Sequence, residues 1–551
     1  MLYPKLFTTL KGYTKEQFLS DSIAGIIVGI VAIPLAIAFA IASGLSPEKG
    51  LFTAIIGGFL ISALGGSRVQ IGGPTGAFVI IVYAMVQKYG VDALVVATLM
   101  AGCILVVMGF AGFGTIIKFI PYSVGVGFTS GIAVVIFSSQ VKDFFGLAID
   151  KVPAEFIEKL RVFFEFFGTV NLYALALALV TVLLIAIWPR RLRKVPGSLF
   201  ALLLTSLLVK LFHLPVETIG SRFGELPHTL PLPKFHPMDI KTIQHLFQPA
   251  FTIAVLGAIE SLLSCVVSDG MIGGKHRSNM ELIGQGAANI GSAIFGGMPA
   301  TGAIARTVTN IKNGGRTPVA GMMHAVTILI IMLFLGRWIK LVPLACLAGI
   351  LVVVAYHMSE WRSFRDLLKG PRGDVVVLLA TFLVTIFIDL TAAIQLGAVL
   401  SAFIFMKRMS DVPHIKVIAK EIEEDAREID LPINYKAAIP KGVEIYEING
   451  PLFFGVANQL DETDRIIGEK PLVRILRFRD VPLIDSTGLR ALTNFYHKCK
   501  KSGIQLIITG LHIQPLNEMV KSNLYDLIGE DNVFSNMNDA LTRAREFLAK
   551  K

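Results

Sequence analysis

A chain of 551 residues in which 54% are hydrophobic and 17% charged departs from soluble globular sequences, where about a quarter of residues are charged. Apolar surface on that scale needs lipid around it, which excludes a water-soluble fold for most of the length. The formal charge of +11 falls in clusters without interleaved aromatics, so it reads as topological bias and contact with anionic headgroups and excludes nucleic acid as a partner.

In chain order, residues 23–42 form the first run long enough to cross a hydrocarbon core as a helix. The run is too long for a signal-peptide core, and Ile41-Ala42-Ser43-Gly44 leads straight into more apolar sequence, so it is not a secretory leader. Residues 94–110, 172–188 and 375–388 are further spans, and counting by length, breaks and charged loops predicts about fourteen up to Met406, several of them short. An even number places both termini on one side. Basic residues at 190–194, at Lys275, His276 and Arg277, at Lys312 and Arg316, and across 362–372 fall in alternate loops, which the positive-inside rule makes cytoplasmic; Arg337 and Lys340 fall on the other side. The Pro-rich stretch from His213 to His245 reads as an extracellular loop. Cys103, Cys265, Cys346 and Cys499 show no paired or metal-ligand spacing, and the first three, inside apolar spans, are expected to be buried packing residues.

One phrase occurs twice. Gly72-Gly73-Pro74-Thr75-Gly76-Ala77 returns, two residues longer, as Gly296-Gly297-Met298-Pro299-Ala300-Thr301-Gly302-Ala303, and each copy interrupts an apolar stretch. Glycines let backbone turn and approach closely, proline ends regular structure, and threonine can cap a following helix, so each copy predicts extended chain feeding a half-helix. Small residues alone also serve helix packing, but correspondence between two halves favours a transporter's binding site. Two half-helix N-termini meeting near the midplane present free N–H groups and partial positive charge, which favours an anion.

Glu260 lies in an apolar span, where a carboxyl is costly and a functional candidate. It could carry a proton, bind a cation together with Ser264, or pair permanently with Arg306. Arg306 equally could supply the charge that attracts the anion, and Asp389 reads as a helix-end residue. Beyond Met406 the composition changes: an acidic, Pro-punctuated segment with Glu421, Glu423, Glu424, Asp425 and Glu428 precedes alternating strands (443–448, 473–481, 504–509) and helices (from Ala457, Thr487, Pro515 and Asn538), which predicts an α/β layer. The expected division is 1–408 membrane domain, 409–432 linker and 433–551 C-terminal domain. No nucleophile–base constellation or metal-ligand cluster is read and Gly273-Gly274-Lys275 is no phosphate loop, so no enzyme, cofactor or metal is expected.

Ile33-Pro34-Leu35-Ala36, the 72–77 phrase, Ile259-Glu260-Ser261-Leu262-Leu263, Gly284-Gln285-Gly286 with Asn289, and Thr301 to Arg306 together resemble the sulfate permease (SulP) family of anion transporters over nearly the whole chain. Asn449-Gly450-Pro451-Leu452-Phe453-Phe454 and Asp485-Ser486-Thr487-Gly488-Leu489 resemble its C-terminal STAS domain. The resemblance implies an α-helical polytopic membrane protein of fourteen helices in two inverted seven-helix repeats, arranged as core and gate domains, plus a cytoplasmic α/β STAS domain. It places the anion between the third and tenth helices at Thr75, Gly76, Ala77, Gly302, Ala303 and Arg306, and a coupling ion at Glu260 and Ser264. Ile304 stands where sodium-coupled bicarbonate relatives carry a hydroxyl, and the wording across 258–275 is similar to proton-linked dicarboxylate carriers. Implied partners are a small anion (sulfate, bicarbonate or a C4-dicarboxylate), a proton or sodium, the lipid bilayer and a second copy in a homodimer; the implied location is a bacterial inner membrane with both termini cytoplasmic. An uncoupled anion channel, exchanger or voltage-driven motor is the rival class. Ser486 is a candidate phosphosite by likeness to anti-sigma-factor antagonists, against a plain helix-capping role for Asp485-Ser486-Thr487.

Overall fold

The computed structural model describes residues 2–115, 121–149, 152–153, 155–189, 197–224, 229–234, 239–388, 390–411, 415–417, 439–453 and 471–550. The basic cluster at 190–194, Asp389, the acidic run of 421–428 and the helical stretch expected from Ala457 lie outside these described residues. The chain divides into two compact units, Met1–Ser401 and Ala402–Lys551.

Among the described residues fourteen helical segments make up the membrane unit, the last of them running past Ser401. In the first half these are α1 Lys15–Ala42, α2 Pro47–Leu64, α3 at 76–89, α4 at 91–110, α5 Tyr122–Phe145, α6 Leu172–Ala186 and α7 Gly197–Phe212. In the second they are α8 Ile240–Ile272, α9 Ser278–Ile294, α10 Ile304–Lys312, α11 Pro318–Ile339, α12 Leu344–Met358, α13 Arg372–Phe387 and α14 Leu390–Asp411. The start of α1 is fixed locally by a reciprocal cap, in which Thr14 accepts from the Gln17 N–H and Gln17 accepts from the Thr14 N–H. α3 and α4 share one apolar run, and only Gly90, at φ 84° and ψ 175°, separates them. A side chain is disfavoured in that conformation, so glycine sets the joint.

α3 and α10 are too short to span. The nine residues of α10 rise about 14 Å, less than half of a roughly 30 Å hydrocarbon core. Extended chain completes each crossing: β1 Gly72–Gly73 precedes α3, and β2 Thr301–Gly302 precedes α10. Packing is dense within two groups, α1–α4 with α8–α11 and α5–α7 with α12 and α13, and sparse between them, the arrangement expected of a core that moves against a gate.

The C-terminal unit holds a five-stranded sheet in the order β3 Ile415–Val417, β4 Val443–Asn449, β5 Val473–Asp480, β6 Gln505–Thr509 and β7 Val533–Phe534. β3, inside the stretch expected as linker, pairs antiparallel with β4, and the other neighbours are parallel. Alternation sorts the side chains: Tyr446, Ile448, Leu476 and Phe478 pack with Phe495 and Met519 of α15 Ser486–Lys501 and α16 Ile513–Lys521. Val443, Ile445, Val473 and Ile475 pack with Ala540, Leu541 and Ala544 of Met537–Ala549.

Two expectations need correction. Cys103 is exposed, because its side of α4 faces outward from the protein, whereas Cys265, Cys346 and Cys499 are buried. The segment from His213 to His245 is not all loop: it contains a short helix, Ile219–Phe223, and its last residues already belong to α8.

Candidate functional site

The two copies of the glycine phrase touch. β1 and β2 pair antiparallel with Gly72 opposite Gly302 and Gly73 opposite Thr301, and the Ala303 N–H donates to the Ile71 carbonyl at 2.8 Å. This short ladder satisfies backbone groups that lipid could not. It also brings the first residues of α3 and α10 to one place, because each helix begins within three residues of its strand.

The structural correspondence differs from the one the phrases suggest. Matching the phrases aligns Gly76 with Gly302, whereas the helices begin at Gly76 and Ile304, with Thr75 and Ala303 as their N-caps. Thr75 therefore has Ala303, not Thr301, as its counterpart. Thr75 also does not cap its helix: it sits in extended conformation (φ −130°, ψ 162°) and its side chain accepts no first-turn N–H. Its hydroxyl instead donates to Glu260 Oε2 at 2.8 Å. Neither half-helix has a side-chain cap, so first-turn N–H groups of both are left for another acceptor.

α8 holds the third side of this junction. Thr301 Oγ1 donates to the Gly257 carbonyl at 2.9 Å, one turn before Glu260. Glu260 is half-buried, while Thr75, Ala77, Gly76, Gly302, Ala303 and Arg306 are buried. Arg306 lies in the first turn of α10 and reaches back across Gly73, where Nη2 donates to the Pro74 carbonyl. No ion pair joins it to Glu260 among the described residues, and its Nη1 is buried with no hydrogen-bond partner. A buried cationic N–H left unmatched costs about 1–3 kcal/mol or more. Ser264, one turn beyond Glu260, contacts Thr307 Oγ1 at 3.4 Å, and Thr307 in turn accepts from the Ile71 N–H at 3.1 Å.

Behind the site stands a residue that reading the chain did not single out. Glu281 of α9, fully buried, accepts from the Gly66 and Ser67 N–H groups (2.8 and 3.0 Å), Gln70 Nε2 (3.0 Å), Ser261 Oγ (3.2 Å) and Gln285 Nε2 (2.8 Å). Gln70 also donates to Ser261 Oγ at 2.9 Å, which ties the approach to β1 to the helix that bears Glu260. In the sequence Glu281 follows a basic loop in the first turn of a helix, where an acidic residue is ordinary. Asn289 performs the same service for β2, pairing both ways with the Ala300 backbone at 2.8 and 2.9 Å. In the C-terminal unit Asp485 caps α15 by accepting from the Gly488 N–H at 2.7 Å, and Ser486 is the exposed first residue of that helix.

The sulfate permease family model matches residues 18–381, and the STAS domain model matches 434–540. YvdB of Bacillus subtilis (strain 168), which bears a provisional sulfate-transporter name, is 40% identical over 531 residues, or 96% of this chain and 98% of that one. The bicarbonate transporter BicA of Synechocystis sp. is 30% identical over 537 residues, 95% of this chain and 94% of BicA. Among solved structures, the murine anion transporter Slc26a9 in its inward-facing state has a TM-score of 0.86 over 99% of this chain and 94% of that one, at 19% identity, a likeness of fold alone. The transmembrane domain of a cyanobacterium BicA gives a TM-score of 0.63 at 31% identity, over 69% of this chain and 98% of that one. With its family match spanning most of the membrane unit, its paired half-helices and its STAS domain, the chain belongs to the sulfate permease family of anion transporters.

Proposed function

We propose that this transporter is a proton-coupled symporter that carries a small anion (sulfate, bicarbonate or a C4-dicarboxylate) by alternating access, with Glu260 as the proton carrier. The observation that carries the reading is the Thr75 hydroxyl donating to Glu260 at 2.8 Å where two uncapped half-helices meet. A hydroxyl has one proton to give. While Glu260 is ionised, that proton is committed to the carboxylate and the anion site lacks this donor. Once Glu260 is protonated, its own O–H can donate to Thr75 Oγ, which frees the Thr75 proton for the anion. Proton and anion then bind together for a reason of stoichiometry: one donor cannot serve two acceptors. Protonation also removes a negative charge beside the incoming one, and Arg306 Nη1 supplies a fixed positive charge. Gly76, Ala77, Gly302 and Ala303 bring backbone close, and Ser264 holds α8 against α10 at the coupling position.

The name of the BicA relative supports bicarbonate as one of the candidate anions. We place both termini in the cytoplasm of a bacterial inner membrane, the chain as a homodimer, and Ser486 as a phosphosite at an exposed helix start. Competition uptake into proteoliposomes with sulfate, bicarbonate and fumarate, under imposed proton or sodium gradients, tests the reading. Proton-driven accumulation that Glu260→Gln abolishes is the expected result. Accumulation driven by sodium alone, or ion current far beyond carrier turnover, would replace symport with protons by the sodium-coupled or channel mechanism.

A further inference from the structure

At the ends of α1, α3 and α5 lies a cavity of about 290 Å³, to which two short helices, Phe156–Glu165 and Ile219–Phe223, contribute residues. Phe156–Glu165 buries two side chains, Phe163 and Lys159. Phenylalanine belongs on that side of an amphipathic helix; lysine does not. Lys159 is 4% exposed, lines the cavity, and makes neither hydrogen bond nor ion pair among the described residues.

Its neighbours do not neutralise it. Asp143 already accepts from Arg222 Nη1 at 3.0 Å, with Glu217 3.7 Å from the same guanidinium. Tyr83 gives its hydroxyl proton to the Val152 carbonyl at 2.5 Å, and Gln140 donates to Ser139 Oγ at 2.7 Å. Among the described residues that line the cavity, Asp143 is the one carboxylate and Arg222 already holds it, so Lys159 has no described carboxylate of its own. The stem of Lys159 is buried while the residue lines the cavity, and burial pulls it down from the usual lysine value to about 8.

We propose that this cavity is a second anion site, an antechamber in which Lys159 supplies the charge and Gln87 a neutral donor for a small carboxylate or tetrahedral oxyanion. Ile80, Tyr83, Ala84 and Gln87 put one face of α3 along it. Gly76 begins the same helix at the central site, so Tyr83 and Gln87 stand about 10 and 16 Å from that point along the axis. An anion held here waits at the far end of the helix that will bind it next. The identity of the occupant rests on the function proposed above; the presence of the site does not.

Reductive methylation of the full-length protein in lipid nanodiscs, followed by mass spectrometry of the Lys159 peptide, tests this directly. Sodium sulfate, sodium bicarbonate or sodium fumarate is expected to slow Lys159 methylation saturably while exposed Lys11 is unaffected, and the Thr75→Val variant is expected to keep that protection. In transport, Lys159→Gln should raise the half-saturating anion concentration about tenfold with turnover unchanged, and Lys159→Arg should restore it, as the loss of one charge-assisted hydrogen bond implies. Methylation of Lys159 at the same rate in all three anions, or protection that vanishes in Thr75→Val, overturns the proposal. Protection that persists while proton-driven accumulation is absent upholds the site and counts against proton coupling alone.

Discussion

Thr75→Val removes one hydroxyl, the donor to Glu260 or the anion and the acceptor for protonated Glu260, while valine copies the shape of threonine at a position only 4% exposed. In the proposed mechanism the cost of that change depends on the protonation of Glu260. With Glu260 protonated, the Thr75 hydroxyl faces the anion, and a hydrogen bond to a charged partner contributes about 1.5–3 kcal/mol, or roughly 10- to 150-fold in Kd. With Glu260 ionised, the hydroxyl is occupied by the 2.8 Å bond to its carboxylate, so deleting it costs the anion less than about threefold. Calorimetric titration of wild type and variant with sulfate and fumarate, at mildly acidic and mildly alkaline pH, reads both limits. In Glu260→Gln the side-chain amide donates permanently to Thr75 Oγ, so anion binding becomes independent of pH and uptake no longer follows a proton gradient. An equal loss of affinity in Thr75→Val at both pH values, or wild-type proton-driven accumulation by Glu260→Gln, refutes the shared-donor mechanism.

Gly76→Ala adds a Cβ that would lie 2.9 Å from Ile136 Cδ1 and 3.0 Å from Met358 Sδ, both on the opposing helix group. Overpacking there costs about 1–3 kcal/mol, and turnover should fall about 5- to 150-fold with central-site affinity nearly unchanged, as flux and binding measured side by side will show. Glu281→Gln sets an amide among five donors that all need an acceptor; a loss of about 3–5 kcal/mol is expected, visible as low yield and a lowered Tm, whereas Glu260→Gln should purify and melt like wild type. At the cavity lined by Lys159 the protonated form of that residue is the one that binds. Sulfate protection should therefore hold below about pH 8 and fade as pH rises through that value, with Lys142, Asp143, Tyr83 and Arg222 the other titratable groups facing it; methylation kinetics across pH measure this.

Reading the chain gave the approximate number of spans and placed four of them because burial in lipid leaves a local record, a run of apolar residues whose length can be counted. The short members escape that record. α10 has nine residues and α3 is marked off from α4 only by Gly90, so each is legible through the glycine phrase beside it and not through hydropathy. Glu260 was legible for the same reason, as a carboxyl out of place in an apolar run. Glu281 and Lys159 were not, since an acidic residue at a helix start and a lysine on an amphipathic helix are ordinary until their surroundings are known.

The sequence by itself determined the membrane class, the approximate number of spans, the STAS-like α/β unit and the two broken helices, because each follows from composition or from residues close together in the chain. Tertiary structure alone decided which atoms meet. Thr75 reaches Glu260 across 185 positions, the Ser67 N–H finds Glu281 across 214, and Arg306 turns back to Pro74 across 232. The offset between the repeated phrases and the helices they feed, with Thr75 answering to Ala303, emerges only when β1 and β2 pair. Hydrogen bonds act over about 3 Å and leave no mark on residues hundreds of positions apart, so the bond from Thr75 to Glu260 could be seen only once the chain had folded.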